Sequence, residues 1–334
     1  MIIYILYFCL ILFALCLVCL MLLGAFLILV RLRTKWNTSP VCLVGKTVIV
    51  TGANSGIGYC TAHEFATRGA KVILACRSMS RAEKAKRKMM EATQNRNIHV
   101  RIVDFASLKS IREFVKEVKE SEERLDILVN NAGAILNDET TVDGLSKTIQ
   151  VNGLGPFLLT LLLLDLMKKS KSSRIVNVAS LTIYYAKIDI NNLNYYSKSI
   201  FSRISIFNYA NAKLCNLILM NDLARRLKGT GVIINSVDPG LVYTGIGRRF
   251  TAVGKILFVC VQLFLRSSRE GAQSSIYAAL SRRMEQVTGK YIMNSKITWV
   301  PSIANNELFA KELWEKCLSV LQITNEERLI IQKI

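Results

Sequence analysis

Thr47-Val-Ile-Val-Thr-Gly-Ala-Asn-Ser-Gly-Ile-Gly58 is the stretch that decides the fold. Its first half is a β-branched run with the composition of a buried strand. Its second half carries Gly52, Gly56 and Gly58. Glycine admits φ > 0 and lets backbone N–H groups approach a ligand, and the N-terminus of a helix beginning here favours an anion such as a pyrophosphate. Placed between a strand and a helix, such a loop reads as a dinucleotide cradle. Gly52, Asn54, Ser55, Gly56, Ile57 and Gly58 are its expected contacts.

Working outward, Val72-Ile-Leu-Ala75, Val100-Arg-Ile-Val103, Ile127-Leu-Val129, Ile175-Val-Asn-Val178 and Val232-Ile-Ile-Asn-Ser-Val237 are further short apolar runs. Polar-apolar segments separate them, and residues 58–67, 81–93, 107–121 and 210–227 read as connecting helices. Strands apolar on both faces belong to a parallel sheet covered by helices on both sides. The expectation is an α/β protein: a single Rossmann-type doubly wound parallel sheet domain over residues 46–300, binding its ligands at the carboxyl ends of the strands. Residues 305–334 read as helix of alternating charge, within a C-terminal helical extension from 301 to 334.

The 334 residues suit one large α/β domain. Lys and Arg number 44 against 24 Asp and Glu, a formal charge of +20. Such an excess fits nucleic acid, an anionic membrane or a phosphorylated ligand. No helix-turn-helix, zinc-finger or aromatic RNA-binding signature accompanies it, so no nucleic-acid partner is expected. Arg81, Lys84, Lys86, Arg87 and Lys88 fall on one expected helix, which reads as a solvated face, with attraction to lipid headgroups as the other reading. Of the nine cysteines only Cys16 and Cys19 stand at Cys-x-x-Cys spacing, and they lie in the apolar segment 1–30; the only histidines are His63 and His99, so neither a disulfide framework nor a metal site is expected. That cysteine usage suits a reducing compartment.

Residues 1–30 contain no charged side chain. As a helix they would span about 45 Å, against about 30 Å of bilayer hydrocarbon. A cleaved signal peptide would need a basic start and a shorter apolar centre, so a transmembrane signal anchor is expected. Arg31, Arg33 and Lys35 open a basic juxtamembrane linker over residues 31–45 and place the large C-terminal part in the cytosol. Asn37-Thr38-Ser39 matches the glycosylation sequon, but a cytosolic position beside the bilayer would leave it unmodified.

The second decisive stretch is Tyr209-Ala-Asn-Ala-Lys213. A phenol with its ordinary pKa of about 10 is a poor base at neutral pH, and a cation one helical turn away lowers that pKa. Of the 11 tyrosines, only Tyr209 has a lysine four residues later. Ile175-Val-Asn-Val178 runs into Ala179-Ser180, which sets a hydroxyl at the sheet's carboxyl edge. Together with the Gly-x3-Gly-x-Gly spacing, these stretches resemble the short-chain dehydrogenase/reductase superfamily. The resemblance implies that Tyr209 is the general acid/base, that Lys213 tunes it and holds the nicotinamide ribose, and that Ser180 polarises the substrate carbonyl. Asn152, in Val151-Asn-Gly-Leu-Gly155, would hold a relay water.

The same resemblance gives the remaining cofactor contacts. Asp104 would meet the adenine. Asn131 belongs to the family's Asn-Asn-Ala-Gly motif at 130–133, in which Asn130 reads as structural. Pro239, Gly240 and Thr244, in Asp238-Pro-Gly-Leu-Val-Tyr-Thr244, would close on the nicotinamide end. Where an NAD site places a carboxylate after the second strand, this chain has Ala75-Cys-Arg-Ser78, and Arg77 can pair with a 2′-phosphate. NADP(H) is therefore the expected cofactor.

Leu74-Ala-Cys-Arg77, Ala212-Lys-Leu-Cys-Asn216, Arg269-Glu-Gly-Ala-Gln-Ser-Ser-Ile-Tyr277, Thr288-Gly-Lys-Tyr291 and Leu313-Trp-Glu-Lys316 are similar to the retinol dehydrogenase branch. That branch implies a membrane-anchored enzyme, with the endoplasmic reticulum as the default membrane, interconverting lipophilic alcohols and aldehydes or ketones. Gly153 and Pro156 stand where the branch often has histidine, and Tyr184-Tyr185 replaces a common Ala-His, so retinoids compete with steroids and other lipid aldehydes as substrates. A catalytically silent NADP(H)-binding membrane protein is the reading from another class, and the intact Tyr209, Lys213, Ser180 and Asn152 oppose it. The apolar stretch 252–265, interrupted by Lys255 and Gln262, falls at the family's substrate lid and is too short to cross a bilayer.

Overall fold

The computed structural model describes residues 2–32, 34–136, 139–193, 205–243 and 265–332. The strands are β1 (Thr47–Thr51), β2 (Lys71–Cys76), β3 (Ile98–Ile102), β4 (Ile127–Asn130), β5 (Ser173–Val178), β6 (Val232–Asp238), β7 (Lys290–Met293) and β8 (Lys296–Thr298). They form one sheet in the order β3-β2-β1-β4-β5-β6-β7-β8. All neighbours run parallel except β7 and β8, which pair antiparallel, Ile292 opposite Ile297. The expected Rossmann-like α/β sheet is thus borne out, with an antiparallel edge strand added.

The central strands are apolar at consecutive positions because both faces are covered. Val48 and Val50 enter one hydrophobic core with Phe65, Met89 and Ile276. Ile49, between them, enters the other with Phe114, Phe157 and Trp314. The first core lies under α2 (Gly56–Thr67), α3 (Met79–Thr93) and α8 (Ser268–Leu280); the second lies under α4 (Leu108–Ser121), α6 (Gly155–Lys168), α7 (Ser205–Arg226) and α9 (Glu307–Val320). Between β4 and β5 the chain also forms α5 (Lys147–Ile149), which runs through a π turn at Gln150–Leu154 into α6. The stretch Lys147–Lys168 has the length and composition to cross a membrane, but it is mostly buried and forms the core of the second layer.

Ahead of this body, α1 (Ile2–Leu32) is a continuous apolar helix with exposed Tyr4, Phe8 and Phe13 side chains. At the other end, the expected single helix is two, α9 and α10 (Asn325–Gln332). Gln322, at φ 52, turns the chain between them. Arg112 donates to both carboxylate oxygens of Glu327, at 2.7 and 3.0 Å, and ties α10 to α4.

Strand order reverses at β1, which has β2 on one side and β4 on the other. The crevice outside that switch point is where such a sheet receives its ligand.

Candidate active site

Gly52 and Gly56 turn the loop after β1 at φ 66 and 60. Gly58 has an ordinary φ, but a Cβ there would lie 2.4 Å from Asn131 Nδ2 and 2.6 Å from the Gly52 carbonyl oxygen. Asn131 occupies that space in order to donate to the Thr51 carbonyl at 2.8 Å. The Thr51 hydroxyl in turn accepts from the backbone N–H groups of Asn131 and Ala132, at 2.9 and 2.8 Å. The ends of β1 and β4 are thereby locked together. Thr51 is a residue that the sequence reading passed over. Asn130 points inward, donating to Thr160 Oγ1 at 2.8 Å.

A cleft of about 330 Å³ opens above this lock. Gly52, Asn54, Ser55, Gly56, Ile57, Arg77, Asp104 and Asn131 all line it, as does Gly133. Asp104 Oδ1 accepts from the Ala106 N–H at 3.0 Å. Arg81 lines the cleft too, in the first turn of α3 beside Arg77. The sequence reading assigned Arg81 to a solvated face; its position just inside the helix that follows β2 is the signal that marks it.

Tyr209, Lys213 and Ser180 meet at the carboxyl end of β5. Tyr209 and Lys213 are both buried, one turn apart on α7. The Lys213 Nζ donates to the Val178 carbonyl at 2.7 Å and lies 5.7 Å from the Tyr209 ring centroid. Ser180 caps the 3-10 turn Leu181–Tyr185, accepting from the Thr182 N–H at 3.3 Å. Asn152 sits in the π turn. Its Oδ1 accepts from Ala134 N at 2.9 Å, and its Nδ2 donates to the Ala134 and Thr148 carbonyls at 2.9 Å each. A Cβ on Gly133 would be 3.0 Å from Asn152 Oδ1 and 3.2 Å from Lys213 Nζ, so glycine is what lets these two groups flank one point. Asn216 Nδ2 donates to the Gly153 carbonyl at 2.8 Å and holds the π turn against α7.

The electrostatics differ from the sequence expectation. Burial pushes the Tyr209 phenol up to about 12, opposed by its hydrogen bond with Ser180 and reinforced by the Asp238 carboxylate. Burial brings Lys213 down to about 8. Spacing put the cation beside the phenol, but burial is the largest influence on the phenol and the ammonium donates to the Val178 carbonyl. Asp238, at the end of β6, accepts from Tyr291 Oη and the Gly240 N–H, at 2.6 Å each. Pro239 and Gly240 follow it, and Arg266 donates to the Pro239 carbonyl at 3.3 Å. Thr244 and residues 252–264 of the apolar stretch lie outside the described residues.

A short chain dehydrogenase family profile matches residues 46–253. Mouse retinol dehydrogenase 11 is 40% identical over 288 residues, covering 85% of this chain and 89% of that protein. Human retinol dehydrogenase 13 is 41% identical over 286 residues, covering 83% and 84%. Among solved structures, an uncharacterised protein from Mycobacterium paratuberculosis superposes with a TM-score of 0.68 at 28% identity, covering 85% of this chain and 96% of its own. Levodione reductase superposes at 0.61 and 22% identity, covering 75% and 96%, a likeness of fold alone. Fold and site define an oxidoreductase of the Rossmann type. The chain belongs to the short-chain dehydrogenase/reductase family, in its retinol dehydrogenase-like branch.

That fold implies a nicotinamide dinucleotide, and the cleft fits one: Gly52, Gly56 and Gly133 line it without side chains, and it carries the two guanidinium groups of Arg77 and Arg81. Gly58→Ala should therefore weaken cofactor binding about tenfold or more and cost about 1–3 kcal/mol of stability, because Asn131 must yield to the new methyl. Cofactor titration by fluorescence checks it; wild-type affinity would mean that the loop adjusts freely.

Lys213 also makes a stability prediction. The unfolded chain keeps this proton to about pH 10.5, whereas the folded chain releases it near 8. The folded state therefore carries a penalty below pH 8 that is relieved as pH rises, by about 3 kcal/mol across that window at 1.36 kcal/mol per pKa unit. Tyr209 acts oppositely, since its folded proton persists to about 12 and its contribution falls above pH 10. Denaturant midpoints of the wild type should rise between pH 8 and 10, while those of Lys213→Met stay flatter. Parallel curves would refute the assignment.

Proposed function

We propose that the protein is a membrane-anchored, NADP(H)-dependent oxidoreductase that interconverts lipophilic alcohols and aldehydes or ketones, with retinol and retinal as the leading pair. The observation that carries this reading is the meeting of Tyr209, Lys213 and Ser180 beside Gly133 at one end of a cleft whose other end holds Arg77. A bound nicotinamide supplies the two-electron equivalent. Tyr209 delivers its phenolic proton to the substrate oxygen, and Ser180 hydrogen-bonds that same oxygen and orients it. Lys213 holds the nicotinamide ribose, and Asn152 holds a relay water through which the proton is replaced. Gly52, Asn54, Ser55, Gly56, Ile57 and Gly58 cradle the pyrophosphate, Asn131 steadies the sheet beside the cofactor, Asp104 borders the adenine, and Pro239, Gly240 and Thr244 close the nicotinamide end.

Residues 1–30 serve as a single-pass anchor, residues 31–45 as a basic linker, residues 46–300 as the catalytic domain on the cytosolic face of the endoplasmic reticulum, and residues 301–334 as its helical extension. The unbroken apolar α1 and the similarity to retinol dehydrogenases support this arrangement. The test is NADPH and NADH oxidation by the full chain in liposomes, with all-trans-retinal, a medium-chain aldehyde and a ketosteroid offered in parallel. Turnover of retinal with NADPH is expected. Preference for the ketosteroid would move the substrate class, and cofactor binding without any turnover would remove the enzymatic reading.

A further inference from the structure

Between α1 and β1 the chain does not hang free. The Lys35 N–H donates to Asn294 Oδ1 at 3.2 Å, the Asn37 N–H to Gln273 Oε1 at 2.8 Å, and Ser39 Oγ to the Leu280 carbonyl at 3.1 Å. Arg68 donates to the Val41 carbonyl at 3.0 Å, and the Arg269 guanidinium stands 5.4 Å from the Trp36 ring centroid. The segment is a strap laid over the end of α8.

Under the strap is a cleft of about 400 Å³ that borders Lys35, Asn37, Ser39, Ser281, Arg282 and Arg283. Among the described residues no carboxylate lines it. Arg282 and Arg283 are exposed and pair with no acidic side chain among the described residues. Asn37 Nδ2 is buried with no hydrogen-bond partner. A buried amide donor left unmet costs about 1–3 kcal/mol, and three cations pinned around one cavity repel one another. An anion relieves both at once. Lys35 is three residues beyond the end of α1, and half-exposed Trp36 beside it is the residue type that settles at headgroup depth.

We propose that this cleft binds the phosphate of an anionic lipid headgroup, with Arg282, Arg283 and Lys35 as its charge partners and Asn37 as a neutral donor. The lipid source rests on the membrane-anchored reading above. Arginine pairs on phosphate through two parallel hydrogen bonds, and each juxtamembrane cation adds to attraction for anionic lipid. The site lies on the strap, apart from the catalytic cleft, and among the described residues none lines both.

The test uses the full chain in neutral detergent and follows its thermal midpoint against dioleoyl phosphatidate, dioleoyl phosphatidylcholine and inorganic phosphate. Phosphatidate should raise the midpoint and phosphatidylcholine should not. The double variant R282Q/R283Q, and separately Lys35→Gln, should match or exceed the wild-type midpoint without lipid and need about tenfold more phosphatidate for the same rise. Equal protection of variants and wild type, or none of either, overturns the site; inorganic phosphate protecting as well as phosphatidate overturns the lipid source. Alkaline carbonate extraction of cell membranes tests the anchor separately: release of the protein would refute the anchor while the detergent titration still reports on the cleft.

Discussion

Tyr209→Phe is expected to lower kcat for carbonyl reduction by about 10³-fold while leaving NADPH affinity within about twofold, because it deletes one proton donor and nothing else. Tyr209 is buried, so the isosteric ring keeps the packing of α7, and Lys213 retains its bond to Val178. The loss falls on the chemical step and so belongs in kcat rather than KM. The direction of the phenol's shift adds a pH signature. Held up at about 12, Tyr209 stays protonated throughout the neutral range and is poised to give a proton. Reduction should then show no dependence on the phenol's titration between pH 6 and 9, whereas alcohol oxidation, which needs the phenolate, should climb about tenfold per pH unit over the same range. Stopped-flow and steady-state measurements on wild type and variant check both statements. A variant that keeps more than a tenth of the wild-type kcat would remove Tyr209 from the role.

What was legible in the sequence divides along physical lines. Strands β1, β2, β4, β5 and β6 could be read because a buried parallel strand is apolar at consecutive positions, as Val48, Ile49 and Val50 are with their side chains in opposite cores. The glycine loop was legible because a tight turn, a close approach and a helix start each demand a distinct residue type. Helix α6 was not named, because leucines on every side of Gly155–Lys168 leave no polar stripe to give a period. Helix α8 went unnamed although Ser267-Ser-Arg-Glu270 spells its capping box, in which Ser267 Oγ accepts from the Glu270 N–H and Glu270 accepts from the Ser267 N–H. The edge pair β7 and β8 is short and partly exposed, with too little apolar sequence to register.

Within the site, spacing carried proximity but not sign. Four residues on a helix brought Lys213 to Tyr209, yet whether the phenol rises or falls depends on how much water the fold removes and where the ammonium spends its hydrogen bond. Neither is written in a pentapeptide. Gly133 and Thr51 were missed for a similar reason: each acts by what it lets another residue reach, and that becomes visible only when β1, β4 and α7 are brought together.

Arg77→Asp is expected to invert cofactor preference, lowering kcat/KM for NADPH by about 10²-fold or more while NADH improves, since a carboxylate repels a 2′-phosphate and accepts from a 2′-hydroxyl. Arg77 closes the β2 end of the cleft, where the turn runs through Ser78 into α3, and Arg81 stands in the next turn on the same cleft wall. Two guanidinium groups converging on one wall suit a dianionic group better than a neutral sugar. Their unequal placement predicts unequal effects. Arg81→Gln leaves Arg77 to hold the phosphate and should cost about tenfold against NADPH with NADH unchanged. Arg77→Asp both removes a cation and adds an anion, so it should change the ratio far more than Arg77→Gln does. Raising salt from 50 to 500 mM should weaken NADPH more than NADH in the wild type, because exposed charge pairs are screened at that strength, and the difference should shrink in Arg77→Asp. Equal salt sensitivity for the two cofactors, with preference unchanged in both arginine variants, would mean that the 2′-phosphate is recognised by some other cation.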